Sequence, residues 1–278
     1  MEKRDIRLIS LDLDGTLLNS KKELSDGNYR ALEEAARRGI QVVPTTGRFY
    51  DAMPAVIRDL PFVNYVIAIN GAEVRDLHSG EILYRAEIPW QQAIEIMTYL
   101  DTLPVIYDCF MYDGAWMTAD MQQRVEEFTD DPHFISMLRN LRKPVPELKA
   151  FLTQRARDIQ KTQLITMDQP LRRRLLKEIP ELFPGVITSS AYIGNVEINQ
   201  SHANKGEAML ALAEHLGITQ AQTMAFGDGL NDLSMIKAAG VGVVMDNAFD
   251  EVKEHADYIT LSCDDDGVAA ALKKFGLI

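Results

Sequence analysis

Two carboxylates one residue apart, Asp12 and Asp14, end the short apolar run Ile6 to Leu11 and are followed at once by Gly15 and Thr16. A run this short and rich in Ile and Leu reads as a buried parallel strand. Asp12 then falls at its carboxyl end, where open α/β sheets bind their ligands. Side chains two apart share a face only while the chain stays extended, and Gly15 marks a turn that would part them. Either way two carboxylates occupy one loop. Close like charges must share a proton, face water or hold a cation, and the last of these is the productive arrangement. A calcium loop of the EF-hand kind does not fit, because Gly15 directly follows the second Asp and no Glu closes the loop.

Three later segments supply what an acidic floor lacks. Thr45-Thr46-Gly47-Arg48 offers hydroxyls, a close backbone amide at Gly47 and a fixed cation. Asn204-Lys205-Gly206 opens a helix, where a point charge and free backbone amides both favour an anion. Gly227-Asp228-Gly229-Leu230-Asn231-Asp232 brings glycines that let the backbone approach, with Asp228, Asn231 and Asp232 as oxygen donors for a hard cation. An acidic floor with a metal, ringed by Thr, Lys and amides, suits phosphoryl transfer, provided all four segments end strands on one side of a sheet.

The elements that must position them follow from hydrophobic periodicity. Both ends of the chain alternate strand and helix, the pattern of a doubly wound parallel sheet. The spacing predicts strands at 6–11, 40–45, 65–69, 223–226 and 241–244, with helices at 26–38, 50–59, 205–216 and 232–239. Between them the order changes to a strand near 81, a helix, a hairpin of 105–111 and 115–118 around Asp113-Gly114, and further strands at 159–167, 186–190 and 196–198. The expected fold is therefore α/β, a Rossmann-like core of residues 1–82 and 192–278 with an α+β domain, 83–191, inserted between its halves. A length of 278 residues allows such a division, and almost half the residues are hydrophobic. The formal net charge of -12 argues against nucleic acid or an anionic membrane as partner. Two cysteines without metal or disulfide spacing fit a reducing cytoplasm, the charged amino terminus is unlike a secretion signal, and no apolar stretch is long enough to cross a bilayer.

The ordered set Asp12 to Thr16, Thr45 to Arg48, Asn70-Gly71-Ala72, Asn204-Lys205-Gly206, Gly227 to Asp232, and Met245-Asp246-Asn247-Ala248 through Asp266-Gly267-Val268-Ala269 resembles the haloacid dehalogenase superfamily, in its Cof-type sugar-phosphatase branch with a type C2 cap. The resemblance implies that Asp12 is a nucleophile forming an aspartyl-phosphate and that Asp14 is general acid and then base. It implies Mg2+ held by Asp12, the Asp14 carbonyl and Asp228, with Asp232 behind them. Thr46 and Lys205 would join the catalytic set. Thr46, the Gly47 and Leu13 amides, Lys205 and Asn231 would hold the transferring oxygens, with Arg48 and Asn70 as further substrate contacts. The implied activity is hydrolysis of small phosphomonoesters, sugar phosphates foremost, the cap closing over the leaving group. A phosphosugar mutase using the same intermediate and a non-catalytic phosphosugar-binding protein are the alternatives; oligomeric state and the particular ester stay open.

Plainer roles compete for several residues. Thr45 reads as a helix cap, Asn70-Gly71 as a turn, Arg172 to Arg174 and Asp264 to Asp266 as solvated runs, and most of Tyr107, Phe110, Tyr112 and Trp116 as domain core.

Overall fold

The computed structural model describes residues 5–112, 114–190 and 194–278. It divides into two compact units, Met1–Arg85 with His202–Ile278, and Ala86–Ser201.

In the first unit, five parallel strands lie in the order Tyr258–Ile259, Val241–Val244, Thr223–Gly227, Leu8–Leu11, Gln41–Pro44. Alternation along the strands sorts side chains to two faces. Ile9, Leu11, Val42, Phe226 and Val243 pack beneath the helices Asp26–Arg37 and Gly267–Lys274, while Leu8, Val43, Ala225 and Val244 pack against Lys205–His215 and Leu233–Ala238. Each fully buried aliphatic or aromatic side chain contributes about 1.5–3 kcal/mol, so this two-sided burial holds the central strand firmly. The register then places the site. Leu11 pairs with both Pro44 and Phe226, and Phe226 with Val243, so Asp12, Thr45 and Gly227 leave the sheet at one level and on one edge.

Two expectations change. The segment Tyr65–Ala68 is no fifth full member of the parallel sheet. It meets strand Gln41–Pro44 only beyond that strand's end, where Thr45 bridges Ile67 and the Thr46 amide donates to the Ile67 carbonyl at 2.9 Å. Otherwise it forms an antiparallel meander with Glu73–Asp76 and Ile82–Arg85. The helix predicted at 50–59 is broken into a 3-10 turn, Tyr50–Ala52, and a single turn, Ala55–Arg58. Pro54 is the cause: it forbids the α conformation to Met53, which is extended at φ -69°, ψ 140°.

The second unit is a six-stranded sheet in the order Val186–Ser189, Asn195–Gln200, Lys161–Ile165, Ile106–Met111, Gly114–Thr118, Arg142–Val145, antiparallel except for the last pair. Helices Trp90–Leu100, Leu148–Arg155 and Gln169–Leu182 cover one face through Ile96, Met97, Leu152, Leu175 and Ile179. Asn195–Gln200, whose strand reads with the inserted elements but lies beyond the expected boundary at 192, belongs to this unit because it pairs on both edges within it. The hairpin strands lie at Ile106–Met111 and Gly114–Thr118; Asp113 of the turn is outside the described residues. Among the described residues no helix is long and apolar enough to cross a membrane.

Candidate active site

The chain turns sharply after Asp12. The Thr16 and Leu18 amides donate back to the Leu13 carbonyl, at 3.4 and 2.8 Å, and Gly15 sits at φ +92°. A Cβ at Gly15 would lie 2.4 Å from Asp228 Oδ2, so only glycine both takes this conformation and lets the two loops meet. The turn sends the two carboxylates to different partners, which settles the question the spacing leaves open.

Asp12 is buried, and its Oδ1 accepts from Lys205 Nζ at 2.5 Å. The same ammonium, wholly without solvent contact, donates to Asp232 Oδ1 at 2.6 Å. Asp232 Oδ2 in turn accepts the Asp228 and Gly229 amides, at 3.0 and 2.9 Å, which shapes the glycine-rich loop. Thr16 Oγ1 donates to Asp228 Oδ1 at 2.9 Å. One lysine therefore faces three carboxylates. Burial first, then the charge of Asp232, pushes the Asp12 carboxyl up to about 8 despite Lys205, and the same two causes push Asp228 up to about 6. Lys205 is driven the other way by burial, but Asp12 and Asp232 outweigh that and hold it above the usual lysine range.

Oxygens of Asp12, Asp228 and Asp232 all lie within 4.8 Å of one another. A donor set of carboxylate oxygens alone, underneutralised by one ammonium, fits a hard divalent cation. The Asp14 carboxylate lies elsewhere: Arg48 grips it through Nε and Nη2, both at 2.9 Å, and Lys22 Nζ reaches Oδ1 at 2.9 Å. Burial alone would raise Asp14, but the hydrogen bonds and charges of Arg48 and Lys22 outweigh it and hold the carboxyl below its ordinary range. Lys22 carries no motif signal. It reaches Asp14 from a tight turn around Asn19, in which it takes the left-handed conformation at φ 63°.

The remaining predicted residues converge on the same edge. The buried Thr46 uses Oγ1 to accept the Arg48 amide at 3.1 Å, which leaves its hydroxyl hydrogen to donate. Asn70, left-handed at φ 55°, accepts from Asn231 Nδ2 at 3.2 Å and stands against Gly47, where a Cβ would come within 2.7 Å of Asn70 Oδ1. Leu13 is wholly buried as a side chain, so its contribution is its backbone.

Two readings are corrected, and the plainer reading of a third segment stands. Thr45 caps no helix: it donates to the Val43 carbonyl at 3.1 Å and shares a 2.6 Å hydrogen bond with Ser10, tying two strands together. The first amides of helix Lys205–His215 are not free for an anion, since Gly206 donates to Ser234 Oγ and Glu207 to Asn204 Oδ1. Asp264, Asp265 and Asp266 splay onto the Ser20 amide, Ser262 Oγ and Ser25 Oγ respectively, and so form no joint cation site.

A model of the haloacid dehalogenase-like hydrolases matches residues 9–272. The chain belongs to that family. It is 31% identical over 293 residues to the phosphatase YwpJ of Bacillus subtilis, covering 96% of this chain and 99% of that protein. It is 32% identical over 282 residues to the 5-amino-6-(5-phospho-D-ribitylamino)uracil phosphatase YcsE of the same organism, covering 99% and 98%. Among solved structures, a haloacid dehalogenase-like hydrolase from Bacteroides thetaiotaomicron superposes with a TM-score of 0.79 at 30% identity, covering 97% and 99%. The chain is a phosphatase of this family, with the family's parallel-sheet core and an inserted antiparallel-sheet cap.

Crowding of acids at this site predicts a trade of stability for function. With cation removed by chelator, Asp228→Asn should raise the unfolding temperature by roughly 2–4 °C, for about 1–2 kcal/mol after allowing for solvent screening. A carboxyl raised by folding binds its proton more tightly in the native state, so the wild type loses stability as pH climbs from about 4 through about 6. The advantage of the variant should therefore vanish below pH 4 and be complete above pH 6. Thermal melts at both ends of that range check it; a pH-independent difference would refute it.

Proposed function

We propose that the protein hydrolyses small phosphomonoesters, sugar phosphates foremost, with Mg2+ and through an aspartyl-phosphate on Asp12. The observation that carries this reading is the buried Asp12–Lys205–Asp232 bridge beside Asp228, at the strand edge where Thr46 and Asn231 also converge. The likeness to YcsE, a 5-amino-6-(5-phospho-D-ribitylamino)uracil phosphatase, supports it.

Asp12, Asp228 and the Asp14 carbonyl would hold the ion, with Asp232 supporting. When bound it supplies positive charge that lets a carboxylate approach a phosphate dianion. The chain's own residues do the rest. Lys205 orients Asp12 and opposes the burial that favours its protonated form, a task the positive charge of the bound ion would complete, while Thr46, Asn231 and the Gly47 amide would donate to the transferring oxygens. In the first step an Asp12 oxygen bonds to phosphorus, the bond to the ester oxygen breaks, and Asp14 gives its proton to that oxygen. In the second, water gives a proton to Asp14 and attacks phosphorus, releasing orthophosphate and restoring Asp12. Held by Arg48 and Lys22, Asp14 is in the deprotonated form that the second step needs; the first requires it to leave that clamp and take a proton. Buried thiols at Cys109 and Cys263 suit work in a reducing compartment such as the cytoplasm.

Phosphate release from a panel of sugar phosphates, pyridoxal phosphate and flavin mononucleotide, with Mg2+ or with chelator, tests the reading. Mg2+-dependent release, fastest from sugar phosphates, is expected. Conversion of a sugar phosphate to an isomer without release would establish the mutase instead, and neither outcome on any ester would leave a binding protein.

A further inference from the structure

Asn247 is exposed to solvent, yet both ends of its carboxamide are committed to backbone groups outside its own turn. Its Nδ2 donates to the Gly15 carbonyl at 2.8 Å, across 232 residues of chain, and its Oδ1 accepts the Cys263 amide at 2.8 Å. A carbonyl takes only a donor and an amide only an acceptor, so the partners fix which way the group points. An asparagine in a turn ordinarily bonds its own loop, and this one does not. Sheet register brings it there. Strand Val241–Val244 runs parallel beside Thr223–Gly227, and the Met245 amide donates to the Gly227 carbonyl at 3.1 Å, so the chain leaves the sheet level with the acidic loop. The buried Met245 and Ala248 then anchor the turn on either side of Asn247, the Ala248 amide donating to the Met245 carbonyl at 3.1 Å.

The Gly15 carbonyl is where such a hold has most effect. Each peptide is a rigid plane, so the Asp14 carbonyl belongs to the plane before the Gly15 Cα and the Gly15 carbonyl to the plane after it. Only the two backbone angles of Gly15 relate these planes, and the sterics of glycine leave both loose. Within the loop the second plane is weakly held, its Thr16 amide reaching the Leu13 carbonyl at 3.4 Å. Asn247 grips the same plane by its carbonyl. Beyond that plane, Thr16 Oγ1 donates to Asp228 Oδ1 at 2.9 Å, while a Cβ on Gly15 would lie 2.4 Å from Asp228 Oδ2. The Gly15–Thr16 peptide is thus the link between the Asp14 carbonyl and Asp228.

Resting on the Mg2+ reading of the site, we propose that Asn247 is a positioning residue for the divalent cation: by holding the Gly15–Thr16 peptide it fixes the mutual placement of the Asp14 carbonyl and Asp228 without touching the ion. Hydrogen bonds behind the direct ligands of a metal set how those ligands face it, and affinity falls when they are lost. The role belongs to the donor end of the side chain. Aspartate at this position could still accept the Cys263 amide, but it would confront the Gly15 carbonyl with a second acceptor. The contact with Cys263, which opens the turn Cys263–Asp265, steadies the carboxamide and cannot replace its N–H.

The test is Mg2+ binding by the substrate-free full-length protein, read as the rise in unfolding temperature with Mg2+ concentration, for wild type, Asn247→Ala and Asn247→Asp. Both variants should need about tenfold more Mg2+ than wild type for the same rise, the low end of the loss seen when a group behind a metal ligand is removed. Asn247→Asp is the sharper of the two. It keeps the Cys263 contact and adds a negative charge that by itself favours a cation, so weaker binding there can come only from the lost donor; it also decides the matter if Asn247→Ala fails to fold. Phosphate release from p-nitrophenyl phosphate should return toward the wild-type kcat in both variants once Mg2+ is saturating. Equal Mg2+ dependence in all three proteins, or wild-type dependence in Asn247→Asp alone, would overturn the proposal and make Asn247 a fastening for the chain at Cys263. Wild type whose unfolding temperature ignores Mg2+ would overturn the cation reading, and this proposal with it.

Discussion

Asp12→Asn should reduce phosphate release by at least about 10^4-fold while leaving the protein folded, because it removes the proposed nucleophile and little else. Asn has nearly the same volume and can still accept from Lys205 Nζ, so the 2.5 Å contact has a neutral substitute. Stability in chelator should not fall. Burial and Asp232 push the Asp12 carboxyl up to about 8, so ionising it costs the wild type stability progressively as pH rises from about 4 through 8, and Asn escapes that cost. Acid quenching during turnover should trap phosphoenzyme in the wild type and none in the variant. Residual activity within tenfold of wild type would move the nucleophile off Asp12.

Lys205→Met should be the most destabilising single change at the site. The ammonium has no solvent contact and holds Asp12 and Asp232 together, and removing one partner from a buried charge cluster costs about 3–5 kcal/mol where the remaining charges are ionised. The loss should depend on pH in a definite sense. Below about 8 Asp12 carries its own proton in the wild type and needs the ammonium less; above it the wild type ionises Asp12 against Lys205, a pairing that the variant lacks. In chelator the deficit in unfolding temperature should therefore be larger at pH 9 than at pH 6, and saturating Mg2+ should narrow it by supplying the missing positive charge. Equal deficits at both pH values, unaffected by Mg2+, would make Lys205 a packing residue.

Much of this site was legible along the chain because its parts are local. Asp12 had to end a strand, since the apolar run before it can be satisfied only by burial. Gly15 had to turn, and the Gly227 to Asp232 loop had to present oxygens. The interrupted strand and helix alternation likewise announced a core with an insertion. Where local signals competed with distant ones, the sequence misled. Tyr65–Ala68 has the composition of a buried strand whichever sheet it joins, and only the return of the chain at Glu73–Asp76 made it part of a meander. The expected boundary at 192 separates Asn195–Gln200 from the insertion although its strand reads with the insertion's others, and its partners are Val186–Ser189 and Lys161–Ile165.

Residue types and short spacings thus determined which groups this protein brings to its chemistry: two carboxylates at a strand end, hydroxyls and an arginine at the next, a lysine at a helix start, an acidic glycine-rich loop. Tertiary structure decided who faces whom. That Lys205 bridges Asp12 from 193 residues away and that Arg48 and Lys22 take Asp14 out of the acidic cluster both depend on strand order and register. Backbone preferences act over a few residues, whereas these pairings form only when several sheets and helices have closed around a common core, so no window of sequence contains them.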